Sequence, residues 1–154
     1  MKPVAAETAE RAASSALEHG WRVATAESLT AGAVASSLGA ASGASDWFAG
    51  GVVAYGTDVK KRVLGVTTDT VVSAECARQM AASVAELLQA DAAVATTGAG
   101  GPDPQDGREP GTVFIAVHTP NAEVVAEHHF EGAPDAVVEQ TVEQALRLLT
   151  DHLG

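Results

Sequence analysis

Between residues 98 and 111 the chain reads Gly-Ala-Gly-Gly-Pro-Asp-Pro-Gln-Asp-Gly-Arg-Glu-Pro-Gly. Five glycines and three prolines in one stretch leave no way to carry a helix or a central strand through it. The elements on either side must end here, and the backbone must cross open ground between them. Compact domains rarely keep an irregular loop of this length without a use for it.

The flanks have readable periods. Ala92-Ala93-Val94-Ala95-Thr96 fits a buried strand leading into the loop. Thr112–His118 and Glu123–Phe130 alternate as two strands joined at Thr119-Pro120-Asn121. Upstream, residues 4–19 place Ala9, Ala12, Ala13, Ala16 and Leu17 on one helical face, and Gly20 supplies a left-handed stop. Arg22 to Ala26 reads as a short strand, and Thr30 is positioned to cap a helix over 31–38. Phe48–Tyr55 carries a β-branched run, and Val59–Leu64 reads as a short helix. From Ser73, the residues Ala77, Met80, Ala81, Val84, Leu87 and Leu88 recur at helical spacing. Pro134 opens a last helix with Val138, Val142, Ala145 and Leu149 as its stripe. This order predicts a three-layer α/β/α domain with a mixed sheet, a single domain over 1–154. Alanine fills 32 of the 154 positions and aromatics only 4%, so the layers should approach closely on small side chains.

Nine Lys and Arg stand against twenty Asp and Glu, a net charge of −11. Such a field repels phosphate backbones and anionic lipid, which argues against nucleic-acid and membrane-surface binders. A small anionic ligand stays open where the few cations gather. Cys76 is the only cysteine, which excludes an internal disulfide and a cysteine-rich zinc site. No apolar run nears the roughly 18 residues of a membrane helix. Glu7 and Glu10 come too early for a secretory segment, so a cytoplasmic chain is expected.

Three constellations are candidates for chemistry. Ala26-Glu27-Ser28-Leu29-Thr30-Ala31-Gly32 ends a strand and opens a helix. Helix-start N–H groups beside a serine suit a developing oxyanion, although plain capping calls for the same hydroxyls. Tyr55, the only tyrosine, precedes Lys60-Lys61-Arg62, three of the nine cations. A lysine among like charges or shielded from water gives up its proton and becomes a base; a solvated helix face is the bland reading. In Gly98-Ala99-Gly100-Gly101 the backbone can approach an anion or a planar ring. That loop lacks both the Walker lysine and the dinucleotide register, and a surface crossover is its bland reading. Asp103 and Asp106 are not followed by the bidentate acid of a calcium loop. His128 and His129, adjacent on a strand, face opposite sides.

Taken in register, these segments resemble the CinA C-terminal domain family, whose enzymatic members are nicotinamide mononucleotide deamidases. The likeness rests on Ala26–Gly32, on Gly51-Val52-Val53-Ala54-Tyr55 with Lys60 and Leu64-Gly65-Val66, on Gly98–Asp103 and on Gly111-Thr112-Val113. It runs from about residue 5 to the C-terminus. The resemblance implies a three-layer α/β domain, a homo-oligomer, no metal or organic cofactor, and a small-molecule nucleotide as substrate. It implies hydrolysis of the carboxamide of nicotinamide mononucleotide to nicotinic acid mononucleotide and ammonia. The family's serine and lysine fall on Ser28 and Lys60, and its tyrosine on Tyr55. Thr30, Gly32, Gly98, Ala99, Gly100 and Gly101 are expected to surround the substrate. Two departures stand out: Gly56-Thr57 replaces Ser-Asn, and Gly132-Ala133-Pro134 replaces Gly-Asp-Arg. Arg108 is the nearby cation in a position to stand in for the missing arginine.

On this reading Ser28 attacks the carboxamide carbon and neutral Lys60 takes its proton. Lys61 and Arg62 help to depress the lysine, and Glu27, if close, opposes them. Tyr55 hydrogen-bonds to one of the pair or lies against the pyridine ring, and helix-start N–H groups hold the oxyanion. The alternative is a non-catalytic module that keeps the nucleotide without turnover. A third reading is a scaffold whose alanine-rich helices serve oligomer contacts.

Overall fold

The computed structural model describes residues 3–154; Met1 and Lys2, at the start of the single domain expected over 1–154, lie outside them. Its frame is one five-stranded sheet in the order β2-β1-β3-β4-β5. The strands are β1 (Val23–Glu27), β2 (Phe48–Val53), β3 (Ala92–Gly98), β4 (Thr112–His118) and β5 (Glu123–His129). β1 runs parallel to both β2 and β3, whereas β4 is antiparallel to β3 and to β5. The sheet is therefore mixed, as the pattern predicts.

Helices cover both faces because every residue of β1 and β3 is buried, which requires an apolar layer on each side. Val23, Ala92 and Val94 point into one core with α1 (Pro3–His19), α2 (Ala33–Gly39) and α6 (Pro134–His152). Ala24, Ala26, Ala93 and Ala95 point into the other, against α4 (Thr57–Leu64) and α5 (Ala74–Leu87). Alanines 9, 12, 13 and 16 are fully buried where α1 meets this first core, so close approach on small side chains holds. α3 (Ala44–Trp47) is a single turn that periodicity does not announce. It buries Trp47, whose indole N–H donates to the Ser42 carbonyl at 3.0 Å. Leu17 and Leu87, placed inward by helical spacing, are instead half exposed, each in the last turn of its helix.

The chain leaves β1 through α2 and α3 on one face and returns to β3 through α4 and α5 on the other. The two connections leave the carboxyl ends of the neighbouring strands β1 and β2 toward opposite faces, and such a parting leaves a crevice. The glycine loop leaves β3 at the same end. Among the described residues, no helix is long and apolar enough to cross a membrane.

Candidate active site

The site begins with Glu27, the last residue of β1 and only 1% exposed. Its carboxylate accepts hydrogen bonds from the Val34 N–H at 2.8 Å and the Ala35 N–H at 3.0 Å. A buried anion is thus placed on the opening turn of α2, where N–H groups and dipole favour it. Two expectations are corrected by this. Thr30 does not cap the helix, and the helix-start donors are taken by Glu27 rather than left for an oxyanion. The Thr30 hydroxyl pairs with the Thr96 hydroxyl at 2.8 Å instead, tying the turn to β3.

Between β1 and α2 the backbone turns tightly. The Ala31 N–H donates to the Ser28 carbonyl at 3.0 Å, and Ala31 and Gly32 both have positive φ, 48° and 100°. The Ser28 N–H donates to the Thr96 carbonyl at 3.0 Å, extending the β1–β3 pairing by one residue. The serine is therefore held at the carboxyl end of the sheet, and its hydroxyl makes no hydrogen bond among the described residues.

That hydroxyl faces a cavity of about 270 Å³ lined by Ser28, Leu29, Tyr55, Gly98, and Gly100 through Gln105. Gly98 is needed for close packing: a Cβ there would lie 2.8 Å from the Thr112 carbonyl oxygen. The backbone N–H groups of Leu29, Gly100 and Gly101 are unpaired among the described residues, so they are available to a ligand. The cavity thus brings together Ser28, Tyr55, Gly98, Gly100 and Gly101 of the expected site. Thr30, Gly32, Ala99 and Arg108 stand outside its lining. Ala99 is buried and closes the neck of the loop, donating to the Thr112 carbonyl and accepting from the Gly111 N–H. Arg108 holds its guanidinium 5.3 Å from the centre of the Phe114 ring.

Lys60 is 1% exposed and its Nζ donates to the Tyr55 carbonyl at 2.8 Å. It lies beside the cavity rather than in its wall, and it shares no hydrogen bond with Ser28. Tyr55 links the two: its ring, 68% exposed, stands at the cavity, and its carbonyl holds the amine. Burial lowers the lysine pKa; charge on Cys76, when its thiol is ionised, and on Asp106 acts in the opposite sense. The expected contribution of Lys61 and Arg62 is absent from these causes, as is that of Glu27. Lys61 turns outward to pair with Asp69. Burial also pushes the Cys76 thiol up to about 11, so it stays protonated and packs as a small hydrophobe.

The loop itself is less irregular than its composition suggests. Gln105 and Arg108 exchange backbone hydrogen bonds of 3.1 and 2.8 Å around Asp106 and Gly107, whose φ values are 54° and 72°. Asp-Gly is the dipeptide such a left-handed turn prefers, a signal the sequence reading passed over. From this turn the Asp106 carboxylate reaches the N–H groups of Val71 and Val72 at 2.9 and 3.0 Å.

A larger cavity of about 400 Å³ opens between α1, α2 and α6, with Asp135, Glu139 and Glu143 along it. None of the expected catalytic side chains reaches it. No three His, Cys, Asp or Glu side chains among the described residues gather to hold a metal ion.

Comparison with known proteins agrees with this architecture. The family model of the CinA C-terminal domain matches residues 5–153. A CinA-like protein of Flavobacterium psychrophilum is 37% identical over 133 residues, covering 82% of this chain and 32% of that protein. A Bacillus velezensis protein named for competence and damage induction is 39% identical over 141 residues, covering 88% of this chain and 34% of its own length. The chain thus spans about a third of the curated relatives it matches. Among solved structures, a competence or damage-inducible protein from Enterobacter asburiae superposes with a TM-score of 0.93 at 31% identity, over 99% of this chain and 100% of that one. A CinA superfamily protein from Klebsiella pneumoniae gives 0.91 at 33% identity, over 97% of both chains.

Proposed function

The chain belongs to the CinA C-terminal domain family, and on that premise we propose that it hydrolyses the carboxamide of nicotinamide mononucleotide to nicotinic acid mononucleotide and ammonia. The observation that carries this reading is one cavity holding an unpartnered Ser28 hydroxyl, the Tyr55 ring and free glycine-loop N–H groups, with a buried lysine beside it.

In the proposed reaction the Ser28 oxygen attacks the carboxamide carbon and its proton passes to neutral Lys60. The amine reaches the serine by leaving the Tyr55 carbonyl or through one water. The Leu29 N–H, from the residue after the nucleophile, is the donor that would meet the oxyanion; losing one such donor typically costs about 10²–10³ in rate. Protonated Lys60 then delivers its proton to the amide nitrogen, the C–N bond breaks and ammonia leaves. Water attacks the acyl-serine ester and gives up a proton to the lysine; the ester C–O bond breaks, the lysine returns that proton to the Ser28 oxygen, and the acid leaves. A base must be deprotonated to act, so the lowered Lys60 pKa raises the active fraction near neutral pH. Cytoplasmic placement and a homo-oligomeric assembly belong to the same proposal.

The test is ammonia release by purified protein supplied with nicotinamide mononucleotide. Ser28→Ala and Lys60→Ala are each expected to reduce turnover by about 10³-fold or more. Full activity in both variants would overturn the assignments. The second reading, nucleotide retention without turnover, draws on the Lys60 amine resting on Tyr55 rather than on Ser28. Calorimetric binding with no ammonia released would decide for it.

A further inference from the structure

We propose that Asp106 is a positioning residue for this reaction: its carboxylate fastens the glycine loop to the segment ahead of α5. The kinetic part rests on the hydrolytic reading; the structural part does not.

Asp106 occupies the first left-handed position of the turn, and Asp is one of the few non-glycine residues that tolerate it. The turn is closed by both of its backbone bonds, so the side chain leaves it in one direction. One oxygen, Oδ2, accepts from two successive N–H groups, Val71 and Val72. The same segment is gripped from β3, because the Thr97 hydroxyl donates to the Val71 carbonyl at 2.7 Å. The cavity wall from Gly100 to Gln105 hangs between these two anchors. A stretch so rich in glycine would otherwise sample many backbone states, and substrate binding would have to supply the ordering free energy. Fastening it beforehand should appear as a lower KM.

Two substitutions test the anchor. Asp106→Asn keeps an oxygen for the two N–H groups, and KM for nicotinamide mononucleotide should stay within about threefold of wild type. Asp106→Ala removes the acceptor, and KM should rise about tenfold or more. Hydrogen exchange at Val71 and Val72 does not depend on turnover, and it should accelerate at least about tenfold in Asp106→Ala and stay near wild type in Asp106→Asn. Unaltered exchange in Asp106→Ala would overturn the anchoring role; should that variant not fold, Asp106→Ser, whose shorter side chain falls short of the two N–H groups, takes the same measurement. Wild-type protein that releases no ammonia would defeat the hydrolytic reading, while the exchange result would still judge Asp106.

Discussion

Burying one lysine sets much of what this chain can do. Lys60 has lost nearly all contact with water and receives in return one carbonyl dipole, that of Tyr55. The loss appears as a pKa below the ordinary lysine value. Between the folded and unfolded values the unfolded chain binds more protons, so stability rises with pH through that window. Below the window the penalty is fully present, and above the ordinary lysine value it is gone. Lys60→Met, of similar length and uncharged, should therefore abolish turnover yet stabilise the fold at pH 7. The gain should be on the order of 1 to 2 kcal/mol, a few degrees in melting temperature, and should shrink as pH rises through the window. Calorimetric melts across pH check this; a lower melting temperature at pH 7 would contradict it. The sequence singles out Lys60 through its neighbours Lys61 and Arg62, but for the wrong reason. Successive helical residues diverge by about 100°, so the three charges cannot share one environment, and only Lys60 turns inward.

Among the elements, α2 shows where local rules stop. Its start is legible from the polar turn and the apolar residues that follow, and Val34 and Leu38 are buried as helical spacing requires. Its cap is not legible there. Capping rules search for a side chain at the helix boundary, whereas this helix is capped from the end of β1, seven and eight residues upstream. Because Ser28 follows Glu27 directly, the cap also orients the turn that carries the proposed nucleophile. Glu27→Gln should lower the unfolding free energy by about 2 kcal/mol, and Glu27→Ala by about 3 kcal/mol, since both N–H bonds are charge-assisted. Turnover should fall in both. Urea denaturation checks the stabilities; losses below about 0.5 kcal/mol in both variants would make Glu27 a bystander.

For the molecule as a whole, the net charge of −11 works against its proposed substrate, whose phosphate is anionic. Among the described residues, the only charged one lining the cavity is Asp103, also negative. Screening should therefore help: raising ionic strength from about 0.01 to 0.15 M shortens the Debye length from about 30 to 8 Å. KM for nicotinamide mononucleotide should fall about two- to fivefold with kcat unchanged. Nicotinamide riboside, a cation without the phosphate, should show the opposite sign in steady-state kinetics at the same two salt concentrations. A KM that rises with salt for the nucleotide would point to a cation in the site.

Apart from the single turn of α3, element order, the mixed sheet, the small-residue core and the position of the glycine loop follow from the sequence by itself. Each depends on sterics and on burial of one face, which a few neighbouring residues encode. Three facts come only from the tertiary structure: that Glu27 caps α2, that Asp106 reaches Val71 and Val72, and that Lys60 leans on Tyr55 beside the cavity. Those partners meet because the packed sheet brings the carboxyl ends of β1 and β3 together. A hydrogen bond spanning some 34 residues is specified by where strands end in space rather than by any period along the chain.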